Sequence, residues 1–167
     1  DFEVDSWYAM FVPARTPRPI IERLNRALNT IVGEARYAFD FHARRTSTGH
    51  RLAFPVDLNT ARWERQVRGA ITYVVSPKNA FSEEEARTQQ RDIEQLARFF
   101  GMASFPITYY AFADPEDMYR SCGFTAHPLM HKITSGGTVD GAGNAYCGNG
   151  KEIYTHEIVH VLARGQR

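Results

Sequence analysis

Apolar positions recur along this chain with two periods, and the switches between them mark out its elements. Ile20, Ile21, Leu24, Leu28 and Ile31 recur at helical spacing, with Asn25 and Arg26 on the polar side. Before them Trp7, Tyr8, Met10, Phe11 and Val12 form an apolar run, broken by the segment from Pro13 to Pro19. Residues 1–32 therefore predict a short strand, a turn and a helix. Residues 37–45 alternate aromatic with small or polar side chains, a strand signature with one aromatic face. His42 lies in that stretch and is expected to be a packed or surface residue. Residues 46–60 are rich in turn formers and predict a loop or a weak hairpin. Trp63, Val67 and Ala70 suggest a short helix, and the β-branched run 71–75 predicts a strand.

The pattern is clearest over 82–101. Ser82 followed by Glu85 is a capping box, and Glu83, Glu84 and Glu85 sit at the positive end of the helix dipole. Ala86, Ile93, Leu96, Ala97 and Phe100 mark the buried stripe, and Gly101 is a stop signal. The charges on the other face read as a solvated surface. Residues 107–112 predict a strand, and Asp114-Pro115 starts a short helix over 115–121 that ends at Gly123. Residues 124–143, rich in Gly, Thr and Ser, predict an extended loop with at most one helical turn. A short strand follows at 144–147, and an amphipathic helix at about 151–163.

That last helix carries the chemistry. His156-Glu157-Ile158-Val159-His160 is an H-E-x-x-H motif. Helical spacing puts residues four apart on one face, so two imidazoles can grip one metal ion, usually zinc. Glu157 between them can hold a metal-activated water and take its proton. Composition alone would produce the motif in about one or two chains per hundred of this length. The apolar neighbours Ile158, Val159, Val161, Leu162 and Ala163 suit a zinc-binding helix, which must be buried along one side. The plainer alternative is a buried helix whose histidines are satisfied by hydrogen bonds. A second pair four apart, His127 and His131, has no glutamate between its members, lies in the predicted loop, and reads as surface or packing. Asp140 reads as a turn residue.

Composition narrows the rest. With 167 residues the chain is long enough for one good core, or one domain with an appendage. A net charge of +1 gives no bulk electrostatic case for nucleic acid or an anionic membrane. No apolar run reaches the length of a membrane span, and no signal peptide is evident. The first residue is Asp1 rather than a methionine, which suggests a processed or excised chain. Cys122 and Cys147 fit no zinc-ribbon spacing. They are free thiols, or a disulfide in an oxidising compartment, or one of them lies near the metal.

Two resemblances follow from these residues. The stretch D-S-W-Y-A-M-F-V-P-A-R-T-P-R-P-I-I-E-R-L-N-R-A-L-N resembles the periplasmic substrate-binding receptors of tripartite tricarboxylate transporters over about the first thirty residues. No ligand-binding residue carries over from it. Over residues 71–164 the chain resembles zincin metallopeptidases of the gluzincin type. The carrying residues are Y-V-V-S-P at 73–77, the long helix, I-T-Y-Y-A-F-A-D-P-E-D-M at 107–118, G-G-T-V-D-G-A-G-N-A-Y at 136–146 and E-I-Y-T-H-E-I-V-H-V-L-A at 152–163. H-E-x-x-H is the specific part.

The zincin resemblance implies an α+β fold, a mixed sheet of about four strands carrying helices on one side, within residues 36–167, with 1–35 as an appendage. It implies His156 and His160 as zinc ligands and Glu157 as general base. It also implies an edge strand at 144–147, whose backbone near Asn144, Ala145 and Tyr146 would pair with an extended peptide or protein substrate; the plainer alternative is that this strand only closes the fold. A gluzincin's third ligand is a glutamate on a later helix, and 163–167 hold none. The expectation is therefore the N-terminal portion of a zinc-dependent peptidase, secreted or periplasmic. The alternatives are a zincin-like binding module without catalysis and a fragment of a periplasmic organic-acid-binding protein.

Overall fold

Apolar and aromatic side chains follow one another almost without a break along residues 71–75 and 107–112, the pattern of strands covered on both faces. The computed structural model describes residues 17–34, 38–40, 42–103, 105–140 and 142–164. The chain divides into two compact units, Asp1–Arg36 and Tyr37–Arg167. In the first, helix α1 (Arg18–Glu34) contains the predicted helical stripe. The strand and most of the turn predicted ahead of it, and residues 5–16 of the receptor-like run, lie outside the described residues.

The second unit runs β1 (Ala38–Phe39), β2 (His42–Thr46), β3 (Gly49–Ala53), α2 (Pro55–Asn59), β4 (Glu64–Arg68), β5 (Ile71–Val75), α3 (Glu83–Phe99), β6 (Ile107–Phe112), α4 (Pro115–Ser121), β7 (Phe124–Ala126), β8 (Gly136–Val139), β9 (Asn144–Gly148) and α5 (Thr155–Arg164). Its main sheet has five strands in the order β4-β5-β6-β9-β8, one more than expected. The three central strands are parallel, and β4 and β8 are antiparallel edges. The class is α+β with a mixed sheet.

Both faces of that sheet are covered, which corrects the expectation of helices on one side. On one face Ile71, Tyr73, Val75, Ile107, Tyr109, Ala111, Ala145 and Cys147 pack with Ala86 and Ile93 of α3 and Ile158, Val161 and Leu162 of α5. On the other, Val74, Tyr110, Phe112 and Tyr146 pack with Val56 of α2, Met118 of α4 and Cys122 at the end of α4. Tyr110 and Tyr146 stack there with ring centroids 5.0 Å apart.

Three sequence expectations needed tertiary context. Residues 64–68 form β4 rather than a short helix, because pairing with β5 from Glu64↔Val75 to Arg68↔Ile71 outweighs the weak helical spacing of Trp63 and Val67. Val67 is 62% exposed, as an edge strand allows. Residues 124–143 contain β7, only three residues long, and β8, which begins with two glycines, so neither announces itself. Residues 42–53 form a hairpin, β2 with β3.

Gly148, at the end of β9, lies against backbone. A Cβ there would be 2.9 Å from the Asp114 carbonyl oxygen and 3.0 Å from the Pro115 Cα. Gly148→Ala is expected to destabilise the fold by about 1–3 kcal/mol, measured by urea denaturation.

Candidate metal centre

Helix α5 starts where the N–H groups of Glu157 and Ile158 both donate to the Tyr154 carbonyl. Its apolar stripe, Ile158, Val161 and Leu162, is at most 2% exposed and belongs to the core beneath the sheet. That burial fixes the helix's rotation and turns His156 and His160 outward, where both are exposed.

The two rings converge. His156 Nε2 and His160 Nε2 are 3.2 Å apart, and the ring planes are inclined at 82°. Two nitrogens bound to one tetrahedral zinc at about 2.0–2.1 Å lie about 3.3–3.4 Å from each other. The spacing thus fits two imidazoles sharing one ion. It also fits a neutral pair in which one ring donates to the other. Among the described residues no third His, Cys, Asp or Glu completes a metal-binding group with them.

Glu157 points differently. It is 6% exposed, and its side chain lies over Gly137 of β8. A Cβ on Gly137 would fall 2.6 Å from Glu157 Cγ and 2.8 Å from both Cδ and Oε1. Glycine at 137 is therefore what leaves room for this carboxylate. The sequence signal was the Gly136-Gly137 pair, since a glycine inside a strand often marks a close approach. Gly137→Ala is expected to push the Glu157 side chain aside, lowering any Glu157-dependent hydrolysis about tenfold or more while metal uptake stays. Parallel activity and metal-binding assays check this.

The expectation that the strand carrying Asn144, Ala145 and Tyr146 is the sheet edge is corrected. These residues are in β9, which pairs with β6 on one side and β8 on the other. Their ladder is occupied, so no further strand can add there. The open edge beside α5 is β8, residues Gly136–Val139. The Asn144 and Tyr146 side chains serve Asp140 instead. Its Oδ2 accepts from Asn144 Nδ2 at 2.7 Å and from the Tyr146 hydroxyl at 2.9 Å, and its Oδ1 accepts from the Ala142 and Asn144 N–H groups. Burial pushes the Asp140 carboxyl up, but these hydrogen bonds outweigh it and hold the group below its ordinary range. Asp140 is thus the turn residue its sequence suggested.

The other candidates resolve by location. His127 stacks on Tyr119 with centroids 3.9 Å apart, and His131 Nδ1 is 3.4 Å from Glu116 Oε2. Both act as packing or surface groups. His42 is half-buried and lines a cavity with Asp40, Asn59 and Arg120. Cys122 and Cys147 are both free and buried, on opposite faces of the sheet, so the disulfide alternative fails. Burial pushes the Cys147 thiol up strongly, and the Glu157 charge adds to this against a hydrogen bond with Tyr109. Among the described residues Cys147 joins no group of three that could hold a metal ion.

The approach to α5 is anchored by polar groups buried beneath it. Glu152 is 1% exposed, and its Oε2 accepts from the Ser82 N–H at 3.0 Å. Burial raises its carboxyl above the ordinary value of 4.5, and the Glu85 charge adds to this, against the Ser82 hydrogen bond. A raised folded-state value stabilises the fold below about 4.5, and that contribution is lost as pH climbs through the folded value. Glu152→Gln keeps an oxygen for Ser82 and cannot ionise. Its stability relative to the wild type is expected to rise between acid and neutral pH, as urea denaturation at a series of pH values would read.

Comparison with protein-family models, curated proteins and solved structures finds no match for this chain. No helix among the described residues is long and apolar enough to cross a membrane.

Proposed function

We propose that His156 and His160 are two ligands of a zinc ion in a zinc-dependent peptidase, with Glu157 as its general base. The observation that carries this reading is the 3.2 Å approach of the two Nε2 atoms on the exposed side of a helix whose other side is core. A zinc ion there supplies an acidified water and polarises the carbonyl to be attacked. The chain's own residues do the rest. The imidazoles hold the ion through Nε2. Glu157 takes the proton of the attacking water on a carboxylate oxygen and returns it to the departing amine nitrogen. The outward backbone groups of β8 can pair with an extended peptide, aligning it beside α5. A zinc ion of this kind takes a further protein ligand, and none of the described residues supplies it.

Zinc-dependent cleavage of an unstructured peptide library tests the proposal. Cleavage that stops with a chelator and returns with zinc supports it. Cleavage that persists in His160→Ala contradicts it. The open edge of β8 also favours a second reading, a module that binds extended peptides without cutting them. Peptide binding that is indifferent to zinc and leaves every peptide intact would select that reading.

A further inference from the structure

Helix α3 reaches the start of α5 through a ladder of side chains on one face. Glu85, Gln89 and Asp92 are spaced four and three apart, so they align along a single stripe. Glu85 Oε2 accepts from the Glu152 N–H at 3.0 Å. Gln89 Oε1 accepts from the Tyr154 N–H at 2.7 Å. Asp92 Oδ2 accepts from the Thr155 hydroxyl at 2.7 Å. The three rungs end on the residue immediately before His156. Two further bonds hold the same segment, from the Tyr109 hydroxyl to the Lys151 carbonyl at 3.1 Å and from Asn149 Nδ2 to the Ile153 carbonyl at 2.9 Å.

Simple stabilisation does not explain the ladder. Gln89 is fully buried, and its Nε2 has no hydrogen-bond partner among the described residues; nor has Glu152 Oε1. An apolar pair of the same shape would avoid both costs. What a polar ladder adds over apolar packing is direction. Each rung fixes the height and rotation of one residue entering α5, and the rotation of α5 sets where the imidazoles meet.

We propose that Glu85, Gln89 and Asp92 are positioning residues, which hold the entry of α5 so that His156 and His160 converge on one metal ion. The inference rests on the metal reading of those two histidines. It assigns α3 a part in the site that its surface charge and capping box do not reveal. The clamp acts before any ligand arrives, so it lowers the ordering cost of binding.

The test uses zinc alone, with affinity read by competition against a chromophoric chelator and α5 dynamics read by hydrogen exchange over residues 155–160. Thr155→Val keeps the side-chain shape and removes the donor to Asp92. Gln89→Leu removes the acceptor for Tyr154. Each variant is expected to weaken zinc binding about 3- to 10-fold, less than the roughly 10- to 100-fold typical of groups bonded directly to ligating imidazoles. Exchange in α5 should quicken with an unchanged circular dichroism spectrum. Thr155→Ser and Asp92→Asn, which preserve the hydroxyl donor and an oxygen acceptor, should restore both readouts. Wild-type zinc affinity and exchange in Thr155→Val and Asp92→Ala would overturn the clamp. A wild-type chain that takes up no zinc would overturn the metal reading instead. Exchange in the same variants would then still decide whether the clamp holds the helix.

Discussion

Glu157→Gln is expected to lower zinc-dependent peptide hydrolysis by about 10²- to 10⁴-fold, the range that general acid–base catalysis contributes. The substitution keeps the shape that fits over Gly137, and it leaves both imidazoles untouched. Zinc affinity should therefore stay as in the wild type, and the loss should appear in kcat rather than KM. The chemistry behind the loss is specific. An amide cannot accept the proton of the attacking water or hand it to the departing nitrogen. Steady-state kinetics on one cleavable peptide, with zinc content measured on the same samples, checks the expectation. A variant that cleaves normally removes Glu157 from the proposed role. A variant that loses zinc as well as activity would mean that the carboxylate shapes the metal site.

His156→Ala is expected to abolish zinc-dependent stabilisation of the fold. A ligand that binds only the folded state stabilises it by about 2.7 kcal/mol at a hundred times its Kd. For a chain of this size that raises Tm by about 5–10 °C. One imidazole on an exposed helix face cannot chelate, so the variant should melt at the same temperature with and without zinc. Its melting point without zinc should stay close to the wild type, because His156 is exposed and leaves no cavity behind. Differential scanning calorimetry with a zinc series and a chelator control reads both quantities. His160→Ala should behave alike, since each ring needs the other.

The elements that build the core were legible because their signals are local. The β-branched run at 71–75, the Ser82–Glu85 cap of α3 and the Asp114-Pro115 start of α4 appear where the sequence placed them. In the structure Ser82 Oγ accepts from the Glu85 N–H, and Asp114 Oδ1 accepts from the Asp117 N–H. The histidine pair was legible for the same reason, since a spacing of four on a helix suffices to bring the Nε2 atoms together. The outer strand β8 was not. It pairs with β9 across a short turn, but its Gly136-Gly137 start carries no β-branched or aromatic run to mark a strand, so residues 144–147 read as the sheet edge when β8 holds that place. Residues 64–68 misled because a five-residue edge strand facing solvent has little apolar alternation to display. The ladder from α3 to α5 was hidden by sequence distance. Its polar residues joined segments some 63 to 67 positions apart, and each alone resembled an ordinary surface group.

The most direct test of the central claim is zinc K-edge X-ray absorption on the chain loaded with one equivalent of zinc. Two imidazole nitrogens at about 2.0–2.1 Å are expected, and that signal should be lost in His160→Ala, whose single remaining imidazole does not hold the ion. A spectrum with oxygen neighbours alone, unchanged by that substitution, would contradict the assignment of His156 and His160 as the metal's ligands.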